Sequence, residues 1–159
     1  MKQQVEKSPR VVIYTDGSFK RDYNTGGYAA LLVYGYNYKL IFEGEIDTTN
    51  NRQEIKAVIN ALKCLDRPCK VTVITDSQYV KGIINGWIKK WKKKNFKTNK
   101  GEPVANCDLI EELDKLLEIH KVKAIWCRAH TGRTDRTSLG NAVCDWAAQY
   151  AGDKLHDNL

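Results

Sequence analysis

Several features that would place a protein in a class at once are missing from this sequence. Its five cysteines include no CxxC pair, and an odd number fits neither a disulfide framework nor a structural zinc site. No run approaches the roughly 18 apolar residues of a membrane helix, and the first ten residues lack the apolar core of a signal peptide. We therefore expect free thiols, no membrane span and a cytoplasmic protein.

Acidic residues are absent from residues 77–101, although the whole chain has 19 of them. The same stretch contains eight lysines, and without their charges the net charge of the chain would fall from +7 to −1. The positive charge is therefore concentrated in one segment of a nearly neutral domain. This asymmetry indicates a polyanionic partner, most plausibly a nucleic acid.

The composition suits one globular domain over residues 1–159, because 42% of the residues are hydrophobic and 28% are charged. Sequence patterns predict five strands, at 10–19, 26–36, 38–46, 70–75 and 123–129. They also predict four helices, of which the first begins at Asn50 and the others cover 77–91, about 107–119 and about 141–151. Asn50 and Gln53 resemble a capping box, and Gly82 and Gly86 predict a bend or break in the second helix. Residues 92–106 and 131–140 are predicted to be loops. This order predicts an α/β fold with one mixed sheet and helices on its faces.

Four carboxylates occupy positions that solvation alone does not explain well. Asp16 is expected to end the apolar part of the first predicted strand and Asp76 to end the fourth, while Glu54 lies near the start of a helix and Asp145 near the start of the last helix. Neighbouring strands would bring the two aspartates to one edge of the sheet, with the other two acids on adjacent helices. Clustered carboxylates repel one another unless cations neutralise them, and hard oxygen ligands suit Mg²⁺ or Mn²⁺.

Each of these acids also has a purely structural interpretation. An Asp after a strand commonly forms a turn or caps a helix, and a Glu at a helix start is stabilised by the helix dipole. His130 likewise is either a surface or packing residue or, beside a phosphodiester site, a group suited to proton transfer. Trp87 and Trp91, four residues apart, either anchor the basic segment or contact a substrate.

The motifs taken together resemble type 1 ribonuclease H. They are TDGS (15–18), GGYAA (26–30), TTNNRQE (48–54), TDSQYV (75–80), the lysine- and tryptophan-rich stretch 87–104, HTG (130–132) and NAVCD (141–145). Each motif alone is weak, but their order and spacing span nearly the whole domain. The resemblance implies a ribonuclease H-like fold with a five-stranded mixed sheet, in which the first three strands are antiparallel.

The resemblance also implies an enzyme that cleaves the RNA strand of RNA–DNA hybrids with two Mg²⁺ ions, for which Mn²⁺ may substitute, leaving 5′-phosphate and 3′-hydroxyl ends. Asp16, Glu54, Asp76 and Asp145 match the metal-binding acids, and Asp16 is the acid expected to touch both ions. His130 matches a histidine assigned to proton transfer or product release.

Substrate contacts follow from the same resemblance. Asn51 and Gln78 match minor-groove contacts, Thr49 matches a DNA phosphate contact, and Gly17 and Ser18 match contacts along the RNA strand. Residues 86–104 match a basic protrusion. There we expect Trp87 to touch the DNA strand, Trp91 to lie mostly in the core, and Lys92, Lys93 and Lys94 to contact phosphates.

The chain departs from the family in two loops, FKRDYNTGG after the first motif and a longer TGRTDRTSLGNAVC after His130. In the second loop, Arg133 and Arg136 either touch the substrate or keep the loop solvated. Three alternatives stay open: a ribonuclease H domain of a reverse-transcriptase element, a catalytically silent hybrid-binding module, and a DNA-directed nuclease or integrase of the same fold. A monomer is expected, because the sequence leaves no apolar stripe unassigned.

Overall fold

A mixed β-sheet with helices on both faces forms the framework of the protein. The structure is a computed structural model, and it describes residues 8–128 and 135–157. Five strands, numbered along the chain as β1 Arg10–Lys20, β2 Thr25–Tyr34, β3 Asn37–Ile46, β4 Lys70–Thr75 and β5 Lys121–Trp126, pair in the order β3-β2-β1-β4-β5. The β1–β2 and β2–β3 pairs are antiparallel, and the β1–β4 and β4–β5 pairs are parallel. The predicted ribonuclease H-like sheet is therefore confirmed. Within the described ranges, no helix is long and apolar enough to cross a membrane.

The strands lie where the alternation of apolar residues predicts them, with small shifts at their ends. A single 3-10 turn, Arg21–Tyr23, joins β1 to β2, and Asn24 follows it in the left-handed region with φ of 51°. That conformation is one that Asn tolerates better than most residues.

The helices also follow the sequence pattern, with one difference in capping. Their bounds are α1 Asn50–Lys63, α2 Gln78–Gly82, a π-helical turn Ile83–Trp87, α3 Ile88–Lys93, α4 Cys107–Ile119 and α5 Arg136–Asp157. The expected break after Gly82 is the π-turn. The expected capping box is wrong: Thr49 caps α1 by accepting a hydrogen bond from the Arg52 N–H, and the Gln53 side chain bonds Glu45 and Thr48 instead.

Helix α5 is longer than the sequence pattern indicates. Residues 136–140 were expected to belong to a loop, yet they are helical. The Asp135 carboxylate accepts a hydrogen bond from the Ser138 N–H at 3.0 Å and one from its hydroxyl at 3.2 Å, which satisfies a free donor at the start of the helix. The polar composition of this stretch therefore marks a helix cap. Asp145 consequently lies in the middle of α5 and not near its start.

The two faces of the sheet are covered by different helices. Helices α1 and α4 pack on one face around a large aliphatic core that includes Ile13, Ile55 and Ile110. Helix α5 packs on the other face through small residues such as Ala147 and Ala148. Glycines allow this close approach, because a Cβ on Gly27 would lie 2.2 Å from the Ala148 carbonyl oxygen.

Replacing Gly27 by Ala should lower the free energy of unfolding by about 1–3 kcal/mol, the usual cost of overpacking. The added methyl group would meet backbone atoms of α5, which cannot rotate away. Urea denaturation measures the effect. Gly86→Ala is the matched control, because nothing lies within 4 Å of its added Cβ and its φ of 176° suits any residue. Equal losses in the two variants would contradict this description of the α5 contact.

The outer face of α5 carries an apolar stripe that the sequence pattern did not reveal. Leu139, Val143, Trp146 and Tyr150 are all at least 40% exposed, and Trp146 stacks on Tyr150 with 5.3 Å between the ring centroids. The reason given above for expecting a monomer, that no such stripe exists, is therefore wrong. The monomer itself stays a prediction.

Candidate active site

Three of the four predicted metal-binding acids meet where β1, β4 and α1 converge. Asp16, Glu54 and Asp76 each offer a carboxylate oxygen, and the three oxygens lie within 4.8 Å of one another. Asp16 and Glu54 are each only 3% exposed. Because ionised carboxylates at this spacing repel, the arrangement calls for a neutralising partner.

Asp16 does not end its strand, contrary to the expectation from the sequence. Strand β1 continues to Lys20, and Asp16 pairs with Ala29 of β2. On its other side, however, the pairing of β1 with β4 stops at Thr15 and Thr75. Asp16 therefore lies at the point where the parallel ladder ends, which leaves room for other groups beside a strand that stays rigid.

Asp76 follows the last residue of β4, as expected, and backbone hydrogen bonds hold it on both sides. The Ser77 N–H donates to the Thr75 hydroxyl at 3.0 Å, and the Ser77 hydroxyl caps α2 by accepting from Val80. The Trp126 indole N–H donates to the Asp76 carbonyl at 3.1 Å. The TDS sequence is thus a strand end and a helix cap that together fix the backbone at Asp76.

Glu54 is positioned by the first turn of α1, which two interactions hold in place. Arg52 binds Asp108 of α4 through two hydrogen bonds of 3.0 and 2.8 Å, and this pairing lowers the pKa of Asp108 to about 2. On the other side, a Cβ on Gly17 would lie 2.6 Å from the Glu54 nitrogen. Gly17 is therefore needed for space, and the chain does not turn there because β1 continues to Lys20. The Arg52–Asp108 pair was not predicted, because the two residues lie 56 positions apart.

Asp145 approaches the other acids from the opposite face of the sheet. The Cys144 thiol donates to the Tyr14 carbonyl at 3.2 Å and so ties α5 to β1 beside the site. The Asp145 carboxylate accepts two hydrogen bonds of 3.1 Å from the Gln149 amide. It is not one of the three tightly grouped acids, but its charge and a hydrogen bond raise the pKa of Asp16.

The acids cannot all be ionised when no cation is present. Burial, together with the negative charges of Glu54 and Asp76, raises the pKa of Asp16 to about 10. Burial and the charge of Asp76 raise the pKa of Glu54 to about 8, while the Gly17 N–H opposes that increase. The site therefore holds protons that a bound cation would displace.

The donor set fits a hard divalent cation. All the grouped ligands are carboxylates, which suit Mg²⁺ and Mn²⁺. In addition, the Oε2 atom of Glu54 is buried and has no hydrogen-bond partner among the described residues. A buried carboxylate oxygen without a partner is costly, and coordination to a metal ion would satisfy it.

The predicted substrate-contacting residues border the acid cluster. Thr49 and Asn51, at the start of α1, and Gln78, at the start of α2, are exposed. The Thr49 hydroxyl already accepts the Arg52 N–H, but its own hydrogen is available to a phosphate oxygen. Gly17 and Ser18 follow Asp16 on β1 and are half-buried.

The predicted contacts of the basic segment differ in exposure and in pairing. Trp87 is 42% exposed, while the half-buried Trp91 packs against the main core, as expected. The two indoles lie 6.1 Å apart, so Trp87 is also part of the anchor. Lys92 forms ion pairs with Asp114 and Glu118 of α4.

Lys93 and Lys94 are exposed, and Lys94 donates a hydrogen bond to the Asn99 side chain at 2.9 Å. These two lysines are therefore better placed than Lys92 to reach a phosphate. His130 and Arg133 lie outside the described residues, so their predicted roles have no structural test. Arg136 is exposed in the first turn of α5, which replaces the loop expected there.

Comparison with known proteins identifies the family of the chain. The RNase H family model matches residues 8–152. A Ribonuclease H from Cupriavidus pinatubonensis is 50% identical over 122 residues, which cover 77% of this chain and 84% of the relative. A Ribonuclease HI from Neisseria meningitidis serogroup B is 43% identical over 141 residues, covering 89% of this chain and 97% of the relative.

Solved structures give the same result. LC9-RNase H1, described as a type 1 RNase H with the type 2 active-site motif, superposes with a TM-score of 0.79 at 25% identity, covering 92% of this chain and 74% of the other. The PFV RNase H domain superposes with a TM-score of 0.78 at 27% identity, covering 94% and 98% of the two chains. The chain therefore belongs to the RNase H family, whose enzymes hydrolyse the RNA strand of RNA–DNA hybrids.

Proposed function

We propose that this chain, acting as one domain over residues 1–159, cleaves the RNA strand of RNA–DNA hybrids at a site that holds two Mg²⁺ ions. Asp16, Glu54, Asp76 and Asp145 would be the ligands, with Asp16 shared between the ions. The observation that supports this most is the grouping of three carboxylate oxygens within 4.8 Å around a buried Glu54 oxygen without a partner.

The chemistry divides between the ions and the chain. Two bound Mg²⁺ ions would supply an activated water and stabilise the leaving 3′ oxygen, giving 5′-phosphate and 3′-hydroxyl ends. The chain's part is to hold the acids on rigid elements, since β1, β4 and α1 fix three of them and the hydrogen bond from Cys144 to Tyr14 keeps α5 against β1. His130 is proposed to transfer a proton to or from water or product, for which a near-neutral imidazole is suited.

Recognition of the hybrid would combine groove shape with phosphate contacts. Asn51 and Gln78 carry amides with both donors and acceptors, suited to base edges in the minor groove. Thr49 would donate to a DNA phosphate, and Gly17 and Ser18 would contact the RNA strand. All three grouped acids come from one chain, so a monomer suffices and the cleavage rate should be proportional to chain concentration.

The test is cleavage of a hybrid whose RNA and DNA strands carry different labels, with and without Mg²⁺. We expect cleavage of the RNA strand only, dependent on Mg²⁺, with 3′-hydroxyl ends that a polymerase can extend. Double-stranded DNA of the same sequence is the control and should stay intact. Cleavage of the DNA strand, or equal cleavage in EDTA, would contradict the proposal.

The exposed lysines of the protrusion should contribute to the salt dependence of binding. Replacing Lys93 and Lys94 by Ala should weaken hybrid binding about 3–10-fold at 100 mM salt and flatten the log–log salt slope by about 1–2, because each phosphate contact releases a counterion. Fluorescence anisotropy in EDTA measures both quantities. Lys92→Ala is the comparison variant, since the Lys92 ammonium is already paired with Asp114 and Glu118 and should contribute less to the slope. An equal change of slope in Lys92→Ala would contradict this assignment.

A further inference from the structure

The sheet carries a second basic surface, far from the protrusion, that composition alone conceals. Arg10, Lys70 and Lys121 are register partners on β1, β4 and β5, so their side chains stand side by side on one face. Lys123 lies one step along β5 on the same face, beside Thr72. We call these four cations the sheet-face cluster.

Neighbouring strands are about 4.8 Å apart, so the cluster places three positive charges in a row about 10 Å long. Like charges directly opposite one another on adjacent strands are destabilising. No carboxylate forms an ion pair with any of the four cations in the part of the chain that the structure describes. The fold therefore tolerates an unfavourable arrangement that a polyanion would relieve.

One side of the sheet-face cluster opens into a cavity without acids, although Lys121 and Lys123 also border a second cavity that contains Asp114 and Glu118. A cavity of about 460 Å³ lies over it, and its lining contains the four cations, Thr72 and valines but no carboxylate. Helix α5 packs mainly over β1, β2 and β3, which leaves this face of β5 open. Further along β5 on the same face, Ile125 is 47% exposed. A positively charged groove of this kind suits the phosphates of a flexible nucleic-acid strand.

The position of the cluster decides between a duplex and a single strand. It lies about 20 Å from the acids, because six strand residues of about 3.3 Å each separate Lys70 from Asp76. It also lies on the α5 face, whereas Thr49, Asn51 and Gln78 lie on helices of the opposite side. A rigid hybrid held by those residues would not also reach the cluster, but a flexible tail leaving the hybrid would.

We propose that the sheet-face cluster binds the phosphates of a single-stranded segment that flanks the hybrid. The contact is independent of base sequence and adds to the affinity for hybrids that carry a tail, because the second contact is made within an already formed complex. It presupposes the proposed function, since the hybrid itself must occupy the acid site. Primers and displaced strands attached to hybrids are substrates of this chemical class.

The test compares two triple variants with the same loss of charge. One is Lys70→Gln, Lys121→Gln and Lys123→Gln. The control is Lys39→Gln, Lys115→Gln and Lys154→Gln, three exposed lysines on β3, α4 and α5. Each is measured in EDTA with a blunt 12-base-pair hybrid and with the same hybrid carrying a 20-nucleotide single-stranded DNA tail.

We expect the cluster variant to bind the tailed hybrid about tenfold more weakly than the native chain does. The slope of the logarithm of its binding constant against the logarithm of salt concentration should be shallower by about 2, because each phosphate contact with a single strand contributes about 0.7. Its affinity for the blunt hybrid and its cleavage of that hybrid should stay within about twofold, as should every value for the control. Thermal unfolding checks the fold, and the cluster variant should melt no lower than the native chain, because like charges have been removed.

Unchanged affinity for the tailed hybrid would overturn the proposal. So would equal weakening on blunt and tailed hybrids, which would indicate a general field effect. A third outcome is that a labelled poly-glutamate peptide binds at the cluster of the native chain, while the tail has no effect on hybrid binding. The cluster would then be a site for an acidic protein instead. Failure of the native chain to cleave the blunt hybrid would overturn the proposed function and is a separate result.

Discussion

Replacing Asp16 by Asn will lower the rate of RNA-strand cleavage by at least about 10³-fold, because several kcal/mol of transition-state stabilisation depend on the ions that this residue is proposed to share. The amide keeps the size of the side chain, which lies buried at the end of the parallel ladder. Single-turnover cleavage of a labelled hybrid at saturating Mg²⁺ measures the change. Activity within tenfold of the native chain would contradict the assignment of Asp16.

The same variant will be more stable than the native chain when no divalent ion is present. Burial and the neighbouring carboxylates raise the pKa of Asp16 to about 10, whereas an unfolded Asp has a pKa of about 4. Between these values the folded state keeps a proton that the unfolded state releases. The free energy of unfolding of the native chain therefore falls as the pH rises through this interval.

Asn does not titrate, so Asp16→Asn should gain about 1–3 kcal/mol over the native chain at pH 8 in EDTA, and the gain should vanish near pH 4. Urea denaturation at pH 4, 6 and 8 measures this difference. Excess Mg²⁺ should stabilise the native chain more than the variant and reduce the gap. A gain that does not depend on pH would show that the Asp16 carboxyl does not hold the proton.

Replacing Gly17 by Ala will reduce cleavage about 10²-fold, although Gly17 carries no reactive group. The added methyl group would lie 2.6 Å from the Glu54 nitrogen and 2.9 Å from the Gln53 carbonyl carbon, so the start of α1 must shift. A displacement of about 1 Å in a catalytic group is enough for a loss of that size. The readout is the single-turnover rate at a temperature where the variant is folded.

Gly35→Ala is the control for this experiment, because its φ of 60° strains any residue with a Cβ, while nothing lies within 4 Å of the added Cβ. It should lose stability while keeping its cleavage rate at low temperature within about threefold. If both variants lose activity in parallel with stability, the effect of Gly17→Ala is general destabilisation. Loss of activity in Gly17→Ala alone supports a role in spacing β1 from α1.

Local patterns in the sequence predicted much of the site. The TDS sequence correctly indicated that Asp76 follows β4, and the apolar period of α1 correctly placed Glu54 near its start. These positions depend on strand and helix ends, which nearby residues determine. The grouping of the acids was also foreseeable, because neighbouring parallel strands bring their carboxyl ends to the same edge of a sheet.

What the sequence could not show depends on contacts between distant residues. Asp16 lies within β1 because β2 continues to pair with that strand after β4 has ended, which only the register reveals. Asp145 lies within α5 because Asp135 caps the helix earlier than its polar composition indicates. The sheet-face cluster joins residues 10, 70, 121 and 123, which are dispersed in the sequence and adjacent only through strand pairing.

The most direct test of the central claim is anomalous diffraction from crystals of the chain grown with Mn²⁺. The acid site predicts anomalous peaks within coordination distance of Asp16, with Glu54, Asp76 and Asp145 supplying the remaining protein ligands. A preparation that cleaves hybrids in Mn²⁺ but shows no anomalous peak at these acids would contradict it.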